Sequence, residues 1–186
     1  GYDLTGTSVQ SIANDQGECY PVAVFVGSSR TAVTCDNTST GSGDNIMQQI
    51  FPYQAWGKRY LTAPTSVDAS AKLNNLNVFR ILVRDANTIV KKNGQQLFGF
   101  NKYYYEYQSD KADYIEADKP ILVAQYIPSE SSCGYSGIGD PELMYLSPIE
   151  QSIKQIGFFR NTKDAIAVNY LTLIIPTKGI SSLMID

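Results

Sequence analysis

The sequence predicts an all-β protein, and three observations carry that prediction. Apolar and polar residues alternate with period two in residues 78–84, where Phe79, Ile81 and Val83 share one face of a strand. Asn93-Gly94 is a strong hairpin signal because Asn and Gly are the residue types that tolerate the positive φ angles of a tight two-residue turn. The third observation is that the strand pattern is repeated along the chain.

The repeat is marked by four residue pairs at offsets of about 96 to 99 residues. The pairs are Pro21 with Pro120, Cys35 with Cys133, Asp44 with Asp140, and Pro52 with Pro148. Such spacing indicates two related antiparallel units that arose by duplication. Residues 22–26 are apolar on both faces, so we expect the strands that begin at Pro21 and Pro120 to be central and equivalent.

We predict that the two units pack in a β-sandwich-like arrangement. Propeller-like sheets are the alternative, because strands recur every ten or so residues. We place the first, partial unit at residues 1–75 and the second at residues 76–186. In the repeated pattern, residues 183–186 correspond to the place where the first copy has residues 90–94 and continues into a hairpin. We therefore expect one compact fragment of a longer chain.

Composition disfavours several classes of function. The formal net charge of -3 and the pI near 5.0 provide no general attraction for nucleic acid. No apolar run reaches the length of a transmembrane helix, so this segment is not expected to span a membrane. With no histidine, the chain cannot build a Ser-His-Asp triad, a Cys-His pair or a histidine zinc site.

Carboxylates are the remaining candidates for catalysis or metal binding. Paired carboxylates can hydrolyse glycosides, and Asp140 with Glu142 or Glu150 are the acids near a Gly-rich segment, but Gly-Asp-Pro is better explained as turn chemistry. Asp36 and Asp44 lie in an oxygen-rich loop that lacks the spacing of a known calcium site. We therefore expect no enzyme activity, no cofactor and no metal.

Three cysteines leave one thiol over in any chain that forms disulfides. Cys19 precedes the Pro21 strand and Cys35 follows the next short strand, so these two face each other if the chain turns at residues 27–29. Cys19 with Cys35 is the candidate disulfide. Pairing of Cys35 with Cys133 and three buried thiols stay open as alternatives.

Tyr103, Tyr105 and Tyr107 are one candidate for ligand binding. They fall on one face of a predicted strand, where an aromatic row offers flat apolar area with polar tips. Packing of these rings in the core is the rival interpretation. Trp56, which lies where a loop enters a strand, is expected to be a core residue.

The second candidate is the pair of loops at residues 30–45 and 129–142. Both follow a predicted central strand, and both are rich in Gly, Ser, Thr and Asp. Each keeps a Gly-Asp pair, with Asp44 and Asp140 as the carboxylates. We predict that these loops lie at equivalent positions and form the functional surface.

Several phrases of the sequence resemble a known family. They are KPILVAQY, which begins at Lys119, the tripeptide Gly-Asp-Pro, which begins at Gly139, AWGK, which begins at Ala55, and DANTIVKKNG, which begins at Asp85. Together they resemble the N-terminal domain family of the IgG Fc-binding protein, over nearly the whole chain. The first copy departs from the family pattern by having Tyr20 before its proline, and the family's acidic-histidine phrase is absent.

The resemblance implies a secreted or cell-surface module with a binding role. We expect a non-catalytic binding or adhesion module whose partner is an extracellular protein or glycan, beside further domains of the same chain. Immunoglobulin binding belongs to particular members and is not carried over. The contrasting hypothesis is a structural spacer domain of a large surface protein.

Overall fold

The computed structural model describes residues 3–36, 42–65, 76–135, 139–158 and 170–184. In these ranges the regular structure is almost entirely β, which confirms the all-β prediction. The strands are β1 (Phe25–Thr31), β2 (Asp44–Gln49), β3 (Gly57–Leu61), β4 (Asn77–Val83), β5 (Val90–Lys92), β6 (Gln95–Gln96), β7 (Tyr104–Ser109), β8 (Tyr114–Ile127) and β9 (Glu142–Tyr145). Short 3-10 turns lie at Tyr53–Ala55, Ile149–Gln151 and Thr177–Ser182. Within the described ranges, no helix has the length and apolar character needed to cross a membrane.

Strand β8 is the centre of the larger sheet. Along one edge it pairs first with β5 and then with β4, and along the other with β3 and then with β9, always antiparallel. Strand β7 extends the sheet beyond β4, and β6 extends it beyond β5. The result is one curled, seven-stranded sheet in which four strands pair directly with the 14-residue strand β8.

Pro120 lies inside β8 and not at its start, where the sequence had predicted it. The ladder to β5 ends at Ala117 and the ladder to β4 begins at Ile121, so Pro120 sits between two partners. On the opposite edge, the pairing to β3 shifts register between residues 57 and 59. A proline, which has no N–H to donate, is therefore tolerated at this point of a central strand.

The main core lies on one face of the curled sheet. Its fully buried members come from β3, β4, β5 and β8, and are Tyr60, Ile81, Val83, Val90, Ile115, Ile121 and Val123. Ile81 lies opposite Val123, and Val83 lies opposite Ile121, so the alternation of β4 matches that of β8. This agrees with the face predicted from the sequence for Ile81 and Val83.

Strands β1 and β2 form a separate two-stranded sheet. Ile46 of β2 packs against Ala124 and Leu143, which lie on the other face of the curled sheet. The two sheets therefore stack as layers, in line with the sandwich-like prediction. Strand β3 precedes residue 75 but joins the sheet of the later strands; the division of the chain at residue 75 stays a prediction.

The prediction that residues 22–26 form a buried central strand is wrong. Strand β1 begins only at Phe25, and the side chains of Val22 and Phe25 are 58% and 61% exposed. In contrast, the counterparts of residues 22–26 in β8 are buried almost completely. The physical reason is that β8 has strands on both edges, whereas β1, among the described strands, pairs only with β2 along one edge.

The two hairpins nevertheless share one register. Phe25 lies opposite Gln49 in β1 and β2, and Ala124 lies opposite Tyr145 in β8 and β9. Ala124 follows Phe25 by 99 residues and Tyr145 follows Gln49 by 96. These are the offsets of the two predicted proline pairs, and the next three pairs of each ladder correspond in the same way.

The correspondence extends past the ladders. Ile50 donates its backbone N–H to the carbonyl of Val24 at 2.9 Å, and Leu146 donates to the carbonyl of Val123 at 2.9 Å. A proline then precedes a 3-10 turn in each copy, at Tyr53–Ala55 and at Ile149–Gln151. This shared course of the backbone supports the proposed duplication.

Candidate binding surface

The two predicted functional loops are joined by a disulfide. Cys35 bonds to Cys133 with a Cα–Cα distance of 5.0 Å, and Cys19 is an exposed free thiol. The candidate pairing of Cys19 with Cys35 is therefore wrong, and the alternative pairing of Cys35 with Cys133 is the one that forms. The first strand begins at Phe25 and not at Pro21, so Cys19 lies outside the ladder that was expected to place it beside Cys35.

Hydrogen bonds also hold the loops side by side. Val33 donates its N–H to the Ser129 Oγ at 2.9 Å, and Ser129 donates its N–H to the Val33 carbonyl at 3.0 Å. Glu130 donates its N–H to the Ser42 Oγ at 3.2 Å. The bases of the loops thus form one ridge, whereas residues 37–41 and 136–138 of the same loops lie outside the described part of the chain.

The carboxylates predicted on these loops are both exposed. Asp44, the first residue of β2, accepts a hydrogen bond from the backbone N–H of Asn45 at 2.6 Å. Asp140 follows Gly139, whose φ of +104° is a backbone conformation that favours glycine. Whether Asp44 and Asp140 contact a ligand stays a prediction.

The predicted tyrosine row does not lie on one surface. Tyr105 and Tyr107 pack against the main core, Tyr107 stacked on Phe79 at 5.1 Å and Tyr105 tilted against Phe100 at 5.4 Å between ring centroids. Burial raises the pKa of Tyr107, and the Lys92 Nζ lies 5.1 Å from its ring centroid. For these two tyrosines the structure favours the rival interpretation, which is core packing. Tyr103, just before β7, lies instead at a surface cleft.

Tyr103 lines a surface cleft that the sequence did not reveal. The cleft has a volume of about 620 Å³. Its walls come from four distant parts of the chain, and the lining residues are Tyr53, Trp56, Arg84, Asp85, Ala86, Thr88, Tyr103, Lys119 and Pro120. The pairing of β3 and β4 with β8 brings these segments together.

The aromatic wall of the cleft is fixed by the 3-10 turn at Tyr53–Ala55. The rings of Tyr53 and Trp56 meet edge to face with centroids 4.8 Å apart. Trp56 donates its indole N–H to the carbonyl of Phe51 at 3.3 Å, which sets the orientation of the indole. Trp56 is therefore a half-buried wall residue and not the core residue we expected, because the chain enters β3 only at Gly57.

The charged side of the cleft carries a cation without a carboxylate partner among the described residues. The guanidinium of Arg84 lies 4.5 Å from the centroid of the Tyr53 ring. Lys119, by contrast, forms an ion pair with Asp85. The hydrogen bond from Lys119 lowers the pKa of Asp85, and the same bond raises the pKa of Lys119. Arg84 thus keeps its donors available for an acceptor on a ligand.

The family model described as IgGFc binding protein matches residues 1–186, the whole length of the chain. The chain belongs to the IgGFc-binding protein family. No curated protein and no solved structure gives a significant match. The resemblance predicted from the sequence phrases is confirmed.

Membership of the IgGFc-binding family supports a coarse functional statement. It is a family of binding domains, which suggests an extracellular binding module with a protein partner. The Cys35–Cys133 disulfide is consistent with that location, because disulfides persist in oxidising compartments. Within the family phrases, AWGK contributes Trp56 to the cleft and DANTIVKKNG contributes Asp85.

Proposed function

We propose that this chain is a non-catalytic extracellular or cell-surface binding module that holds a protein or glycan ligand in the cleft. The observation that carries the proposal is the arrangement of Tyr53, Trp56 and Arg84. Two rings in contact form a fixed apolar wall, and a cation stacked on one of them offers hydrogen-bond donors. Such walls bind sugar rings and apolar side chains while the donors set orientation.

The cleft is supported by regular structure on each side, which favours recognition without large rearrangement. Pro120 and Lys119 belong to the central strand β8, and Arg84 and Asp85 directly follow β4. The 3-10 turn that carries Tyr53 is linked to its counterpart because Gln151 donates its side-chain N–H to the Ala55 carbonyl at 2.9 Å. A pre-formed site of this kind loses little side-chain entropy on binding.

The ligand class that suits the cleft best is one with a flat apolar face beside an acidic or strongly accepting group. Arg84 supplies the donors for that group, and the Lys119–Asp85 pair flanks it. An acidic glycan and an acidic peptide both have this chemistry. Membership of the family favours a protein partner.

The test is an array of glycans and extracellular proteins probed with the isolated chain. We expect reproducible binding that Arg84→Ala and Trp56→Ala each weaken at least about tenfold, the loss of a hydrogen-bonded or aromatic contact of about 1.4 kcal/mol or more. Lys58→Ala is the matched control, because Lys58 is an exposed cation on nearby β3 that does not line the cleft. Far-UV and near-UV circular dichroism show that each variant is folded.

Two outcomes would contradict the proposal. Silence across a broad array would favour a structural spacer, which needs no ligand. Binding that survives the cleft variants but is lost in Asp44→Ala and Asp140→Ala would move the site to the disulfide-joined loops. Both aspartates are exposed, so these two substitutions leave the core untouched.

A further inference from the structure

One edge of β1 is free of any described strand. Strand β1 pairs with β2 along one edge, and no described strand lies along the other. Residues 22–26, which lead into and begin this strand, are apolar, yet Val22 and Phe25 are more than half exposed. An unpaired strand edge with apolar side chains is a template for a further strand.

In the hairpin of β8 and β9, the edge that corresponds to the free edge of β1 is covered by another strand. By the shared register, residues 121–125 of β8 are the counterparts of residues 22–26. Along the edge of β8 that corresponds to the free edge of β1 lies β4, with Ile81 opposite Val123 and Val83 opposite Ile121. Buried apolar pairs of this kind hold β4 in place.

The chain contains a second segment with the pattern of β4. Residues 77–83 read NVFRILV, and residues 169–175, which follow 92 positions later, read NYLTLII. Leu171, Leu173 and Ile175 take the places of Phe79, Ile81 and Val83. Yet residues 170–175 form no strand in the structure, and Leu171 and Leu173 are about half exposed.

We propose that residues 170–175 add to the free edge of β1 as an antiparallel strand, in the register that β4 uses on β8. This rests on the proposed duplication and not on the proposed ligand. Transferring the observed pairs by their offsets puts Leu173 opposite Val24 and Ile175 opposite Val22. Two exposed apolar segments of the same chain would then cover each other.

The register is also consistent with the faces of the small sheet. Val24 and Val26 lie on the face that carries Ile46, and Ile46 packs against the curled sheet. Leu171 and Leu173 would join that inner face, so their side chains would leave water. We expect residues 170–175 of the same chain, and not a second molecule, to cover the free edge of β1. A strand tethered to that edge by the chain has an effective concentration in the millimolar range.

Disulfide trapping tests both the pairing and its register. In a Cys19→Ser background, Val24→Cys with Leu173→Cys and Ala23→Cys with Ile174→Cys cover the two kinds of opposing position in an antiparallel ladder. Val24→Cys with Thr172→Cys is the matched control, because a shift of one residue turns the side chain to the other face. After mild oxidation, non-reducing electrophoresis and peptide mass mapping measure the yield of each bond.

We expect at least one in-register pair to form an intramolecular bond in at least about tenfold higher yield than the control. Equal yields, or no bond in either in-register pair, would overturn the proposal. A bond that links two molecules would overturn it as well, because the occupant would then be a second copy. The native Cys35–Cys133 bond, mapped in the same digest, shows that each variant has folded.

Discussion

Removal of the Cys35–Cys133 disulfide should lower the stability of this protein by a large and calculable amount. The bond closes a loop with a sequence separation of 98 residues. In the chain-entropy description, a cross-link over a loop of this size destabilises the unfolded state by about 4.7 kcal/mol. For a domain whose total stability is about 5–15 kcal/mol, this loss amounts to a third or more of the total.

The perturbation is the double substitution Cys35→Ala and Cys133→Ala, compared with the parent by urea denaturation. We expect the free energy of unfolding to fall by about 4–5 kcal/mol and the melting temperature by roughly 10–20 °C. Cys19→Ala is the matched control, since an exposed free thiol can be replaced at a cost within about 0.5 kcal/mol. A thiol count on the native protein should find one accessible thiol, at Cys19.

Two results would refute the reasoning. A double variant that loses less than about 1 kcal/mol would show that the loop bases are held together without the bond. Thiol labelling of Cys35 in the unreduced protein would show that the bond is not the one described.

Three further predictions concern the contact between the paired strands β3 and β8. Tyr60→Phe removes a hydroxyl that donates to the Ile121 carbonyl at 2.7 Å and accepts from the Gly57 N–H at 3.0 Å, so unfolding experiments should show a loss of about 1–3 kcal/mol; no loss would mean that water replaces the hydroxyl. Gly57→Ala would place a Cβ 2.2 Å from the Pro148 Cβ, and we expect about 1–3 kcal/mol of destabilisation in the same assay, whereas a neutral result would show that Pro148 yields easily. Burial raises the pKa of Tyr60 to about 12, while an unfolded tyrosine ionises near 10. The stabilisation from the neutral hydroxyl is therefore complete below about pH 10 and is lost as the pH rises toward 12. Stability measured across this window should fall less steeply in Tyr60→Phe than in the parent, and equal slopes would contradict the assignment.

The parts of the fold that depend on local pattern could be predicted from the sequence. The alternation in residues 78–84 placed Phe79 and Ile81 on a buried face, and both side chains are fully buried. Asn93 and Gly94 have φ angles of +52° and +81° in the tight turn between β5 and β6, as the hairpin signal predicted. In each case the deciding interactions lie within a few residues along the chain.

The failures share one physical cause, which is that burial depends on partners distant in sequence. Residues 22–26 are as apolar as residues 121–125, but in the described part of the chain only the latter have strands on both edges. Cys35 reaches Cys133 only because the two hairpins stack. The cleft could not be predicted for the same reason: Trp56, Arg84 and Lys119 become neighbours only through two separate pairings to β8.

The position of β8 in the chain has a consequence for synthesis. Strands β3 and β5 have no place in the large sheet until residues 114–127, which follow them, have left the ribosome. At about 5–20 residues per second, the nascent chain spends roughly 4–14 seconds between Gly57 and Ile127 with these strands incomplete. Cys35 waits longer still, because its partner Cys133 emerges only after β8. The disulfide therefore closes late, and the Cys35 thiol stays unpaired until most of the strands are made.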